Sequence, residues 1–212
     1  GDAVDAQGDF VGVVPTDLDP DTPGIQTTDP LGSWFNISTL GGDGAGGTLT
    51  TRTTDGTQQG AAASFSGIAR IEGQGGADDP DKITLSLAGS GGVTWRMSDV
   101  FTGAINVGAH SVSYEGVAIG ENAMAGRDLT LAYGLDGEND YTGDVIVDLT
   151  RGLAAGFVSF IGDIHGLTGT TKADAMTGHA ATRTLTGGAG NDFLATSVLA
   201  VVSMDGGDGD DD

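Results

Sequence analysis

Gly187-Gly-Ala-Gly-Asn-Asp192-Phe-Leu194-Ala195 decides how this chain is read. It fits the nine-residue pattern G-G-x-G-x-D-x-U-x, where U is a large aliphatic and each repeat supplies one turn and one short strand. Gly206-Gly-Asp-Gly-Asp-Asp211-Asp212 matches the first seven positions again. Stepping back by nines from Leu194 gives Leu185, Met176, Leu167, Val158 and Leu149, six aliphatics in one register. In a chain that is 38% hydrophobic, such a run arises in well under ~1% of registers. One inward side chain per nine residues, two nonamers per turn of chain, is the requirement of a flattened parallel β-solenoid.

Position six of the nonamer carries the charge. In this register it falls on Val147, Gly156, His165, Asp174, Arg183 and Asp192, with Asp211 after a one-residue insertion. Asp174, Asp192 and Asp211 are therefore expected to stack along one edge, with His165 and Arg183 on the opposite edge, away from any carboxylate. Calcium needs six to eight hard oxygens at about 2.3–2.6 Å, and tight glycine turns expose backbone carbonyls that a carboxylate can complete. The expected calcium ligands are Asp174, Asp192 and Asp211 with the turn residues Gly188, Gly190, Gly207 and Gly209. The best site lies between the turns of Asp192 and Asp211. The turn before Asp174 lacks the second and fourth glycines and carries Lys172. Arg183 is expected to replace an ion on its edge by donating to turn carbonyls. Two further acidic turns, with Asp78 and Asp79 and with Asp140, are additional calcium candidates, whereas Gly41-Gly-Asp43-Gly reads as a loop.

These nonamers resemble the repeats-in-toxin (RTX) family, the haemolysin-type calcium-binding repeats, over residues 142–212. The resemblance implies a right-handed parallel β-helix or β-roll and a place in a large secreted protein exported by type I secretion, such as an adhesin, surface layer, toxin or exoenzyme.

The rest of the sequence is read outward from there. Thirty-nine glycines and 6% aromatics favour an all-β chain of stacked turns over a deep globular core. Residues 1–33 hold four of the five prolines and read as an extended arm. Residues 34–141 read as degenerate β-solenoid repeats, with strands at Lys82–Leu87 and Asp128–Tyr133, and Asp144–Leu149 opens the calcium region at 142–212. Asn122–Arg127 is the one stretch suited to a turn of helix. Three blocks starting at Phe65, Tyr114 and Phe160 suggest a longer module. The chain stops at Asp212 inside an unfinished nonamer, which implies a larger parent.

Eight Lys and Arg against 30 Asp and Glu give a net charge of −22, which repels nucleic acid and anionic lipid and attracts cations. There are no cysteines, so disulfides and Cys-based metal or redox sites are excluded. No apolar stretch is long enough to insert into a membrane. No P-loop, dinucleotide fingerprint, nucleophile elbow or H-E-x-x-H sequence occurs, and no basic cluster stands ready to clamp an acidic sugar. The expectation is a non-enzymatic, calcium-stabilised structural or adhesive segment at the cell surface or outside the cell. Its expected partners are calcium, neighbouring segments or copies, and cell-surface polysaccharide. The alternative is a calcium-dependent carbohydrate-binding module or an accessory region of a polysaccharide-active β-helix enzyme. Trp34, Phe35, Trp95, Tyr114, Tyr133 and Tyr141 are the rings available as a sugar platform, although core packing suits both tryptophans better.

Overall fold

The computed structural model describes residues 24–26, 32–51, 63–73, 80–134, 141–197 and 203–212. They form strands and turns, with no helix among them. The strands are β1 (Gly24–Gln26), β2 (Ser33–Gly41), β3 (Gly44–Thr51), β4 (Ala63–Ile68), β5 (Arg70–Glu72) and β6 (Asp81–Leu85). Next come β7 (Val93–Asp99), β8 (Thr102–Val107), β9 (His110–Glu115), β10 (Val117–Asn122), β11 (Leu129–Ala132) and β12 (Ile146–Asp148). The last are β13 (Ser159–Ile161), β14 (Gly166–Thr168), β15 (Ala175–Gly178), β16 (Thr184–Ala189), β17 (Phe193–Thr196) and β18 (Ser203–Asp208).

They build three sheets, none of which closes on itself. The nine-stranded sheet runs β1-β5-β9-β8-β7-β11-β14-β16-β18, the six-stranded sheet β13-β10-β6-β2-β3-β4, and the three-stranded sheet β12-β15-β17. Parallel pairs dominate, because the chain alternates between sheets and returns to each in the same direction. Trp34 faces Lys82, Leu131 faces Leu167, Leu167 faces Leu185 and Leu185 faces Met204. The return distance is thus 48 residues early in the chain and 18 or 19 at its end. Antiparallel hairpins are inserted in the first half: β2-β3-β4 in one sheet and β7-β8-β9 in the other.

The alternation of apolar and polar residues sets the inward face. One row across the large sheet consists of Trp95, Leu131, Leu167, Leu185 and Met204. The first four are buried, and Met204 on the final strand is 51% exposed. All three sheets share one apolar core. Its centre is aromatic: Trp95 meets Tyr114, Phe157 and Phe160 edge-on at centroid distances of 5.9, 5.6 and 5.4 Å. The Trp95 indole N–H donates to the Tyr114 hydroxyl at 2.8 Å, so burial leaves no orphan there.

Several expectations need correction. Asn122–Arg127 is not helical: Asn122 ends β10, its side-chain carbonyl accepts the Met124 N–H, and Gly126 has φ +78°. The blocks at Phe65, Tyr114 and Phe160 pair with one another in parallel but out of register, so their aromatic residues do not face each other. Phe65 faces Gly47 across an antiparallel pair, Tyr114 faces Ile71, and Phe160 faces Gly120. The nine-residue register holds for the buried Leu167, Met176 and Leu185 and for the half-buried Leu194, but Val158 is exposed. There the chain turns between residues 149 and 158, and Phe157 and Phe160 point inward instead. Val147 is also an inward strand residue facing Met176 rather than a turn position. The arm read at residues 1–33 includes β1, which pairs with β5 and covers the end of the large sheet.

Candidate functional site

Between β14 and β15, and again between β16 and β17, a glycine-containing turn ends on an aspartate just before the next strand. These forward turns lie on the edge of the molecule opposite the return turns that lead into β14 and β16. Their aspartates stack as the spacing predicts. Asp192 accepts the backbone N–H of Asp174 at 2.8 Å, and Asp211 accepts the backbone N–H of Asp192 at 2.9 Å. Each carboxylate thus latches the pass of chain 18 or 19 residues before it.

The latch is tight because nothing separates the turns. A Cβ at Gly187 would collide with the Asp192 carboxylate and the Gly206 carbonyl, and one at Gly206 with the Asp211 carboxylate. Gly188 and Gly207 have φ of +118° and +95°, and a side chain on either would strike the backbone carbonyl of Thr170 or Gly188. Gly190 and Gly209 also pack directly on the preceding turn, against Lys172 and the Gly190 carbonyl.

Two of these carboxylates are deeply buried, Asp174 at 3% exposure and Asp192 at 2%. They are satisfied differently. Asp174 is closed within its own turn by the Thr170 N–H at 2.5 Å and the Thr170 hydroxyl at 3.0 Å. Burial pushes its carboxyl above the ordinary carboxylate range against these bonds, with the Asp192 charge adding to the rise. Asp192 has no such threonine. Its Oδ2 is buried and has no partner, and the Gly206 carbonyl converges on the same point above Gly187. An orphaned anionic oxygen costs several kcal/mol unless a cation or donor meets it.

The donor chemistry is therefore hard oxygen only, which suits calcium. Among the described residues no three acidic or histidine side chains converge, so an ion beside Asp192 would take most of its shell from turn carbonyls. Asp192 and Asp211 with Gly188, Gly190, Gly207 and Gly209 are brought together. Asp174 joins the stack but is internally satisfied. The candidates Asp78, Asp79 and Asp140 lie outside the described residues.

Sequence reasoning places Asp81 at the end of the acidic stretch with Asp78 and Asp79 but does not single it out. It is buried and accepts the Ser33 N–H, and it occupies the register position facing Ser33 on the neighbouring strand. A Cβ at Gly73 would meet the Asp81 carboxylate and, at 2.6 Å, the Gly116 carbonyl, repeating the Gly187 arrangement. The signal was available: Asp81, Asp174 and Asp192 each follow a glycine-containing stretch of sequence and stand at or just before the start of a strand.

The return edge also differs from expectation. Among the described residues Arg183 serves no turn carbonyl with its side chain. Its guanidinium grips both oxygens of Asp128, at 2.8 and 2.9 Å, so a carboxylate does stand on this edge. His165 accepts the Leu129 N–H through Nδ1 at 3.1 Å and brings Nε2 within 3.8 Å of Asp128. These side chains line an open cleft of about 790 Å³ that also holds Arg127, Asn122 and Asp163. Basic groups scattered in sequence are thus gathered in space. The aromatic rings form no platform: Phe35, Trp95, Tyr114, Tyr133 and Tyr141 are buried, and Trp34 is half-buried under the Lys82 ammonium at 4.1 Å.

Fold and forward turns together define an all-β protein of mixed sheets, in which parallel strands near the C-terminus are joined along one edge by aspartate-latched glycine turns. Comparisons with family models, with curated proteins and with solved structures find no match to the chain.

Proposed function

We propose that the chain is a calcium-stabilised structural segment of a secreted or cell-surface repeat protein, wound at its C-terminal end as a right-handed parallel β-roll of the RTX type. The observation that carries this reading is the buried, partnerless Asp192 Oδ2 beside the Gly206 carbonyl, on an edge where carboxylates recur every 18 or 19 residues. Asp192 and Asp211 would hold the ion with the carbonyl-bearing turns of Gly188, Gly190, Gly207 and Gly209. Calcium supplies charge neutralisation and cross-links successive passes. It takes part in no chemistry, and the role is not enzymatic. In calcium of about 1 mM, a site with a dissociation constant near ~10⁻⁴ M adds about 1.4 kcal/mol. Export and an extracellular setting follow from the same resemblance, since calcium at that level is found outside cells.

The test is a thermal melt followed by circular dichroism, in calcium and in chelator. A rise of several degrees with calcium, absent in Asp192→Asn, is expected. Equal melting in both conditions refutes the proposal. A surface-contact role toward polysaccharide is a second reading, favoured by the polar cleft on the return edge.

A further inference from the structure

The chain carries eight Lys and Arg against a net charge of −22, and two of its arginines face one cleft. Arg183 is neutralised by Asp128. Asp163 faces His179, whose Nε2 lies 3.4 Å from its Oδ1. Arg127 is different. Its Nη2 donates to the Ser90 carbonyl at 2.9 Å, its Nε is buried without a partner, and among the described residues no carboxylate pairs with it. In so acidic a chain, a guanidinium left without a counter-charge at the wall of a cleft is a binding group for an anion.

The remaining wall says what kind of anion. Asp128 and Asp163 offer carboxylate oxygens, and Asn122 offers an amide that already reaches the Asp163 carbonyl at 2.6 Å. Glycines such as Gly91 and Gly162 leave backbone accessible, and no Phe, Tyr or Trp lines the space, the one ring there being the His165 imidazole. Such a surface accepts hydrogen bonds from hydroxyls and gives no stacking face. A dianionic phosphate would be repelled by Asp128 and Asp163, whereas a single carboxylate set among hydroxyls meets one guanidinium without a counter-charge and several acceptors. The volume of about 790 Å³ lies within the ~300–1,000 Å³ typical of small-molecule sites.

We propose that this cleft binds an acidic sugar, a uronate unit of a polysaccharide, with its carboxylate on Arg127 and its hydroxyls on Asp163, Asn122 and Asp128. The site deepens the surface-contact role above without resting on the calcium turns, because it lies on the opposite edge and shares no residue with them.

The test is titration calorimetry with digalacturonate, the corresponding neutral digalactoside and inorganic phosphate, each in calcium and in chelator. Digalacturonate is expected to bind in both conditions, at least tenfold more tightly than the neutral sugar or phosphate. Arg127→Gln should reduce that affinity at least tenfold with an unchanged melting temperature. If that variant melts lower, Arg127→Lys keeps the charge and should keep the preference for the acidic sugar. Equal binding of acidic and neutral sugars, phosphate binding as tightly as the uronate, binding only in calcium, no binding, or indifference to Arg127→Gln would each overturn the proposal. Failure of the calcium reading would show in the melts and leave this outcome unaffected.

Discussion

The middle of the molecule and its C-terminal end hold together by different means. Around β7, β9 and β13 the interior is filled by Trp95, Tyr114, Phe157 and Phe160, all in mutual edge contact with the indole. From β14 onward the inward residues are Leu167, Met176, Leu185 and Leu194, about one for every nine residues. Thin layers of that kind bury little apolar surface, and each additional residue ordered costs conformational entropy of about 1–2 kcal/mol. There the aspartates add hydrogen bonds between passes, accepting the backbone N–H groups of Asp174 and Asp192. The lesson is that one chain can pass from stability by burial to stability by turn electrostatics, and the two halves should answer to different perturbations.

The largest expected effect is in the aromatic centre. Trp95→Ala removes a fully buried indole and leaves the Tyr114 hydroxyl without its donor, so a loss of about 3–5 kcal/mol is expected. Chemical denaturation should show it equally in calcium and in chelator. A loss that calcium repairs would mean the two halves are not distinct.

Next comes the closeness of the forward turns. Gly187→Ala sets a methyl group against the Asp192 carboxylate and the Gly206 carbonyl, an overpacking worth about 1–3 kcal/mol. Hydrogen exchange should speed up across residues 184–196 and remain unchanged around Trp95. Uniform acceleration along the chain would argue for a single cooperative unit.

How much of this division was legible in the sequence follows from which forces are local. The stacking of Asp174, Asp192 and Asp211 could be read because repeat length alone sets their separation, and short turns leave the chain no freedom to slip. The antiparallel insertions could not be read from the same period. Gly41-Gly-Asp43-Gly reads as a loop and is one, but its role in closing the antiparallel β2-β3 hairpin, with Gly41 facing Gly44, lies outside the nine-residue period. Asp81 is not singled out from its acidic stretch because nine-residue counting does not reach it, although it too stands at the start of a strand. The cleft was invisible for a different reason. Arg127 and Arg183 are 56 residues apart, and only the stacking of parallel passes brings both to one wall.

Asp192→Asn gives a smaller and more selective effect. The amide oxygen can still accept the Asp174 N–H, while the charge that would grip an ion is gone. In chelator the variant should be as stable as the parent or slightly more so, since an unpaired buried charge is removed. With calcium the increment of about 1.4 kcal/mol should vanish. Loss of stability in chelator would mean that the latch, and not the ion, needs the carboxylate.

Asp174 adds a pH signature. Because burial raises its carboxyl in the folded state, a bound proton favours the fold. Its contribution is fully present below the ordinary carboxylate pKa and is lost as pH rises through the raised value. Glu121 has the opposite sign. Burial alone would raise its carboxyl, but hydrogen bonds from Thr84 and Lys82 hold it below the usual range, so its contribution is lost in acid. Asp174→Asn should therefore remove the acid-stabilised component from chelated protein and leave the Glu121 component in place. An unchanged profile in that variant would show that the proton is taken up elsewhere.

The return edge should respond least. Arg183 and Asp128 make two short contacts, yet their side chains are 64% and 57% exposed, and water and salt screen such a pair. Arg183→Gln is expected to cost no more than about 1 kcal/mol, with little change in melting temperature and no change in the calcium response. Its backbone bonds to neighbouring passes, the N–H to the His165 carbonyl and the carbonyl to the Ser203 N–H, are indifferent to the side chain. A drop of several degrees would instead mean that the Asp128–Arg183 grip is a latch in its own right, and that both edges of the C-terminal passes hold by charge.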